Sequence, residues 1–286
     1  MVEIMGRCMT HSATHRNLTS GSLASYAQTQ TRVLTIGPWQ QREFAAAVAD
    51  IPAARAWPTV TNIRAACDLL TDSEQPPELI FLAQPPPGLY RQADIDHLQQ
   101  LVPLARLVVV AGTWCEGELR TGTLPTGTIR LYWYELASWW QAALRRRSAG
   151  LCPLWSLPLD HPLAGRYSSE ILKPTPTPSE SAILIDTADF AVYETLAAAL
   201  SAYGLNCYPS RGEPTSIVTA GIWDGGQLSK REVQRLTKFC RRVPGRVIAL
   251  LDFPRVEHIQ QAQAAGATAL VAKPYVVEEV VMMLQQ

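Results

Sequence analysis

Short apolar runs alternate with segments whose apolar residues recur at helical spacing, and this pattern occurs twice along the chain. In the first copy, strands are predicted at residues 32–36, 54–58, 79–82, 107–111 and 129–134. Helices are predicted at residues 39–49, 95–104 and 136–145, together with a helix capped by Thr61 that carries Ile63, Ala66, Cys67 and Leu70 on one face. Short buried strands separated by helices are typical of a parallel sheet covered on both faces.

The second copy repeats this alternation with one gap. Its predicted strands are residues 182–185, 205–208, 216–220, 246–251 and 269–272, and its predicted helices are residues 190–203, 229–242, 256–265 and 276–284. About seven residues separate the second and third strands, and a helix typically needs ~8 or more. We therefore expect the second helix of this copy to be missing or shortened, and the linker or the first copy to cover the sheet there.

The segments outside the two copies have a different composition. Residues 1–30 are rich in Ser, Thr and Gln without apolar periodicity, which predicts a disordered tail. Residues 148–180 contain the run from Lys173 to Pro178 with proline at every second position, which predicts a semi-stiff linker. The predicted domains are therefore residues 31–147 and 181–286.

Charge and cysteine content narrow the class of protein. The chain has 25 basic and 25 acidic residues, so no overall field attracts nucleic acid or an anionic membrane. Its six cysteines are scattered without a CxxC pair, which favours reduced thiols and a cytoplasmic location. No apolar run approaches the ~20 residues that span a bilayer, so we expect no membrane segment.

The last 40 residues carry a more specific pattern. An apolar strand is followed by a helix that ends at Ala265-Gly266-Ala267, a second strand, Lys273-Pro274 and an amphipathic helix. This order resembles the closing third of a bacterial response-regulator receiver domain. The resemblance extends over residues 181–286, and residues 31–147 share only its alternating pattern. It implies two flavodoxin-like, doubly wound α/β domains, each with a five-stranded parallel sheet.

Receivers place acidic residues after strand one, a phosphoacceptor aspartate after strand three, a hydroxyl after strand four and a lysine after strand five. The resemblance assigns these positions in the second copy to Asp186, Asp189, Gly221, Leu251 and Lys273, with Pro274 following and a cis bond expected before it. Glycine cannot accept a phosphoryl group, and Asp224 lies three residues further on, ~10 Å along an extended strand. Lys273 is then expected to pair with Asp186.

These assignments predict a tandem pseudo-receiver that acts in signal transduction through protein contacts, without enzymatic activity or a cofactor. The strand ends of the first copy offer no set of carboxylates for Mg²⁺. One alternative is a receiver that still accepts a phosphoryl group on Asp186, Asp189 or Asp224 with Mg²⁺ as cofactor. A second alternative is a regulator that binds nucleic acid through a basic helix, although the neutral net charge argues against that partner.

Two surfaces are candidates for partner binding. The helix at residues 229–242 carries cations at helical spacing, which suits either an acidic partner or a solvated outer face: Arg231, Arg235, Lys238 and Arg242. An aromatic cluster suits either a homodimer interface or a packed core: Tyr132, Trp133, Tyr134, Trp139 and Trp140.

Other chemical signals are weak. Cys8, His11 and His15 have metal-like spacing but no fourth ligand. Cys115 is followed by Glu116 and Glu118, and neighbouring carboxylates should raise the thiol pKa, which argues against a nucleophile. The sequence contains no phosphate-binding glycine motif and no GxSxG motif.

Overall fold

The computed structural model describes residues 31–49, 51–118, 122, 124–159 and 181–284, and within these ranges it contains two parallel sheets. The first sheet consists of β1 (Val33–Ile36), β2 (Thr59–Val60), β3 (Leu79–Gln84), β4 (Arg106–Ala111) and β5 (Ile129–Tyr132). Its helices are α1 (Arg42–Ala49), α2 (Ile63–Thr71), α3 (Gln92–Leu101) and α4 (Leu136–Ser148).

The second sheet consists of β6 (Ser181–Asp186), β7 (Asn206–Pro209), β8 (Ile217–Asp224), β9 (Arg246–Asp252) and β10 (Ala269–Lys273). Its helices are α5 (Phe190–Ser201), α6 (Lys230–Arg242), α7 (Val256–Ala264) and α8 (Val277–Leu284). Asp189 begins α5 and Ser229 begins α6, each accepting a hydrogen bond from a backbone N–H of the first turn.

Both sheets have the same strand order. The first is β2-β1-β3-β4-β5, and the second, read from its other edge, is β7-β6-β8-β9-β10. Every strand pair is parallel. This order is the flavodoxin-like, doubly wound arrangement, which confirms the predicted fold class. All strands of one sheet therefore end at the same edge, where α/β proteins of this type place their sites.

The first sheet is covered on both faces, as its unbroken apolar strands require. Every residue of β3 is buried. One face packs against α1 and α4 with Phe44, Phe81 and Trp139 in its core, and the other packs against α2 and α3 with Leu70 and Leu98. Both core clusters come from alternate residues of the same strands, in keeping with the two-residue period of a strand.

The second sheet confirms the predicted gap. Residues 210–216 contain turns and bends but no helix between β7 and β8. The face that packs on α5 and α8 is complete. On the other face, α6 and α7 cover the sheet, but Tyr208 and Val218 remain only partly buried.

The two sheets with their helices pack against each other through α7 and α8. Val256 and Ile259 of α7 pack against the first core. On the rim, Arg42 Nη1 donates to Glu257 Oε1 at 2.6 Å. Glu279 of α8 is 8% exposed and lines an internal crevice that also includes Ser138 of α4. The described parts of the two halves thus contact each other through the apolar residues of α7 and through the ion pair on the rim.

Three local predictions need correction. Residues 54–58 are not a strand, because a 3-10 turn runs through Pro52–Ala56 and β2 follows at Thr59–Val60. Proline favours the first position of such a turn. The cap of α2 is Asn62, whose side chain accepts from the Ala65 backbone N–H, and not Thr61. The third strand of the second sheet continues to Asp224, four residues beyond its predicted end.

The aromatic cluster belongs to the core, and its prediction as a homodimer interface is wrong. Tyr132, Trp133, Trp139 and Trp140 are all 7% exposed or less. Tyr134 is partly buried against the same core. The core accommodates them because Trp133 begins a 3-10 turn, Trp133–Glu135, which breaks the strand alternation. Four of the five side chains are therefore inaccessible to a second molecule.

Part of the predicted linker is also packed. Leu154 and Trp155 are buried against the first core, and Arg106 of β4 donates hydrogen bonds to the backbone carbonyls of Trp155 and Leu157. The rest of the predicted linker, from residue 160, and the predicted tail with Cys8, His11 and His15 lie outside the described residues.

Candidate functional site

Charged side chains gather where the strands of the second sheet end. Asp186 ends β6, Asp224 ends β8, Asp252 ends β9 and Lys273 ends β10. The register pairs Asp186 with Trp223 and Lys273 with Asp252. Four neighbouring parallel strands thus deliver three carboxylates and one ammonium group to one edge, and this cluster is the candidate site.

The position assigned to Gly221 from the sequence is wrong. Gly221 lies in the middle of β8 and packs under α6, where an added Cβ would approach Phe239 Cζ to 2.8 Å. The strand does not end there because Ile222 and Trp223 continue its apolar run and are fully buried. Asp224 is therefore the residue at the tip of the third strand, and it is not a distant substitute.

Lys273 holds two carboxylates together. Its Nζ lies 3.1 Å from Asp224 Oδ1 and 3.0 Å from Asp252 Oδ1. Burial alone would lower the pKa of Lys273, but the hydrogen bonds that it donates to Asp252 and Asp224 outweigh this effect, and the pKa lies above its usual value. The predicted pair with Asp186 is thus wrong. The predicted cis bond between Lys273 and Pro274 is confirmed.

Asp186 is held on the other side of the site. Its Oδ1 accepts a hydrogen bond from the Ser210 hydroxyl, and its Oδ2 accepts from Arg235 Nη2 at 3.3 Å. Arg235 also donates to Glu232 on its own helix at 2.9 Å. This use of Arg235 follows from the missing helix, because α6 can reach the end of β6 directly.

The remaining assigned residues play structural roles. Thr187 follows Asp186, and its hydroxyl donates to Asp224 Oδ2 at 3.0 Å. Asp189 caps α5 through the Ala191 backbone N–H at 2.9 Å. Leu251 stands at the position assigned to a hydroxyl residue, and its apolar side chain is fully buried in β9. The next residue is Asp252, which ends the strand.

The residues present do not fit a Mg²⁺ site of the receiver kind. Such a site needs about three convergent oxygen ligands, but Asp186 is bonded to Ser210 and Arg235, and Asp224 is bonded to Lys273. Asp189, assigned to the second acidic position, is used as the cap of α5. Within the described ranges, no three His, Cys, Asp or Glu side chains converge to hold a metal ion.

The first sheet carries a buried polar network at the corresponding edge. Arg130 Nη2 donates to Glu118 Oε2 at 2.6 Å, with side chains 12% and 3% exposed. Gln84, at the end of β3, donates to both oxygens of Glu118. The Cys115 thiol lies beside this network, and burial together with the Glu118 charge raises its pKa to about 11. This confirms the expected direction and leaves the thiol protonated.

The sequence did not indicate this network, because Glu118 lies in the connection between β4 and β5 and Arg130 lies in β5, 12 residues further along the chain. A charged residue inside a predicted buried strand was the available signal, since a buried charge requires a partner.

The four basic side chains predicted as a docking face on α6 fall into two pairs, one that contacts the ends of β6 and β7 and one that is exposed to solvent. Arg235 bonds Asp186, and Arg242 Nη2 donates to the Ser210 carbonyl at 2.7 Å. Arg231 and Lys238 are exposed, and no ion pair joins either of them to another described residue. Among the described helices, none is long and apolar enough to cross a membrane.

No protein-family model and no curated protein matches this chain. Among solved structures, the chain is similar to a response regulator from Burkholderia pseudomallei at 20% identity and TM-score 0.32, over 37% of this chain and 67% of that one. A CheY-like receiver domain protein from Methanospirillum hungatei is 20% identical with TM-score 0.32, over 37% of this chain and 92% of that one. A response regulator from Thermotoga maritima is 14% identical with TM-score 0.31, over 37% and 94%.

Likenesses with TM-scores near 0.3 do not by themselves establish a fold, a family or a function for this chain. The strand order of both sheets is that of the flavodoxin-like class to which receivers belong. The chain is therefore similar in fold to response-regulator receiver domains, as its sequence predicted.

Proposed function

We propose that this protein is a tandem pseudo-receiver that acts in signal transduction through protein contacts and without phosphoryl transfer. The observation that carries the proposal is the pair between Arg235 and Asp186, 3.3 Å apart. An arginine of α6 here takes the carboxylate oxygen that a divalent cation would need.

The chemical reason lies in the charge of the transferred group. Phosphoryl transfer depends on positioning and on cations that neutralise charge developing on the phosphoryl oxygens. In this site the fixed cations already neutralise carboxylates: Arg235 binds Asp186, and Lys273 binds both Asp224 and Asp252. Entry of Mg²⁺ would have to break these ion pairs.

A second candidate function is phosphoryl acceptance by Asp224. This alternative gains support from the length of β8, which brings Asp224 to the strand tip beside Lys273. We favour the inactive state because Thr187 and Lys273 occupy both oxygens of Asp224.

A direct assay separates these two functions. The full chain is incubated with Mg²⁺ and acetyl phosphate, and its intact mass is measured. The proposal predicts no added phosphoryl group. A stoichiometric phosphoryl adduct that is lost in Asp224→Asn and retained in the matched helix-cap variant Asp189→Asn would establish the second function and refute the first.

We further propose a cytoplasmic location. The described cysteines are all free thiols, and reduced thiols suit the redox state of that compartment. Fractionation of the native host with redox-state labelling of the thiols would test this. Oxidised cysteines in an extracytoplasmic fraction would contradict it.

A further inference from the structure

The missing helix leaves part of one face of the second sheet without a covering helix. Tyr208 of β7 and Val218 of β8 lie on the face that α6 and α7 cover, and both are only partly buried. β7 is also the edge strand of this sheet. We call this part of the face, which lies between α6 and β7 and has these two side chains at its base, the α6–β7 groove.

A stripe of cations forms one wall of this groove. Arg231, Arg235, Lys238 and Arg242 are spaced by four, three and four residues. At ~100° per residue they fall within an arc of about 60° on the helix. Arg235 and Arg242 reach Asp186 and the Ser210 carbonyl at the ends of β6 and β7, so the stripe faces the groove. Lys230 and Arg241 lie further round the helix, toward solvent.

We propose that the α6–β7 groove binds an acidic amphipathic helix of a partner protein, in the place where the second crossover helix is missing. The inference rests on the proposed function, because it names the class of partner that the protein contacts. The apolar side of the bound helix would cover Tyr208 and Val218. Its acidic side would meet Arg231 and Lys238, which are exposed and have no ion-pair partner among the described residues.

The charge of the groove argues for a separate partner and not for this chain's own outlying segments. Residues 1–30 contain one acidic residue, Glu3, and two basic ones, Arg7 and Arg16. Residues 160–180 contain three acidic and two basic residues and are interrupted by prolines. Neither segment has the charge or the helical pattern that the groove requires.

The apolar floor argues for a helix and against nucleic acid. Binding to a phosphate backbone is dominated by ionic contacts and would leave Tyr208 and Val218 exposed. A helix laid in a groove instead buries apolar anchors on one side. The exposed cations then contribute mainly to the association rate and to specificity.

The test uses the full chain and a synthetic probe. A fluorescein-labelled peptide helix with leucines on one side and glutamates on the other is titrated with the protein, and anisotropy is measured. Two control probes have the same charge: a scrambled peptide without an apolar side, and a single-stranded oligonucleotide. We expect at least tenfold tighter binding of the amphipathic peptide than of either control.

Two charge-reversal variants locate the site. Arg231→Glu with Lys238→Glu changes the stripe, whereas Lys230→Glu with Arg241→Glu changes the net charge equally on the solvent side of the same helix. We expect the stripe variant to lose tenfold or more in affinity and the control to lose less than threefold. Equal losses in both variants would show general attraction and overturn the proposal.

A third variant, Val218→Thr, tests the floor with little change in volume, and we expect it to weaken binding severalfold. Oligonucleotide binding as tight as peptide binding, or no measurable peptide binding at low salt, would also overturn the proposal. These outcomes leave the proposed function intact, since the phosphoryl assay on unmodified protein decides that separately.

Discussion

Glu279 provides a sharp test of how the two halves pack. It is 8% exposed and faces α4 across the crevice between the sheets. Burial raises its pKa from 4.5 to about 7; a hydrogen bond from Ser138 opposes this shift and the charge of Glu135 adds to it. The perturbation is Glu279→Gln, which keeps the shape and removes the ionisation.

The magnitude follows from linkage. In the folded chain Glu279 stays protonated between pH 4.5 and about 7, where the unfolded chain has already released the proton. The stability that the protonated Glu279 carboxyl group contributes is therefore fully present below pH 4.5, and it is lost as the pH rises through 7. At about 1.4 kcal/mol per unit of pKa shift, the loss approaches roughly 3 kcal/mol. For a chain of this size that corresponds to about 6–12 °C in melting temperature.

The assay is differential scanning calorimetry at pH 5.0 and pH 8.5 on the wild type, on Glu279→Gln and on the exposed control Glu194→Gln. We expect Glu279→Gln to match the wild type at pH 5.0 and to melt several degrees higher at pH 8.5, while the control follows the wild type at both. If Glu279→Gln and the wild type lose the same stability between pH 5.0 and pH 8.5, ionisation of a buried Glu279 does not contribute to the pH dependence.

Three further substitutions test the packing and ion pairs in chemical denaturation. Glu118→Ala leaves the buried Arg130 guanidinium without its carboxylate and should destabilise by about 3–5 kcal/mol; a loss under 1 kcal/mol would contradict the burial of this pair. Gly221→Ala places a methyl group against α6 and should lower the free energy of unfolding by about 1–3 kcal/mol. Gly117→Ala, with no atom within 4 Å of the added carbon, is the matched control and should lower it far less. Equal losses in the two variants would contradict the packing of Gly221 under α6. Arg235→Gln removes a half-exposed ion pair and should cost only about 0.5–1 kcal/mol, and a loss of several kcal/mol would show that the pair is more important than its exposure implies.

The architecture was predictable because it follows from local pattern. Buried strands bounded by turns, with helices between them, left few arrangements other than a doubly wound sheet. The missing helix was predictable from the length of the connection alone, since the residues between β7 and β8 are too few to form a helix. The cis bond before Pro274 came from the resemblance, which placed Lys273 at the end of β10.

The site was less predictable because a strand end is not a local property. β8 continues through Gly221, the residue after the predicted strand end, because Phe239 packs against the glycine and Trp223 remains buried beyond it. The strand end was predicted four residues too early, which assigned Gly221 to the site in place of Asp224. The partner of Asp186 could not be predicted from the sequence either. Arg235 lies 49 residues away along the chain and approaches Asp186 only because no helix intervenes.

We propose that protein cations hold the carboxylates of the second sheet and leave no place for a divalent cation. Isothermal titration calorimetry of the full chain with MgCl₂, in parallel with Asp186→Asn and Asp224→Asn, tests it most directly. We expect no saturable binding of Mg²⁺ in the millimolar range to any of the three proteins. Saturable binding of one Mg²⁺ to the wild type, lost in both variants, would contradict it.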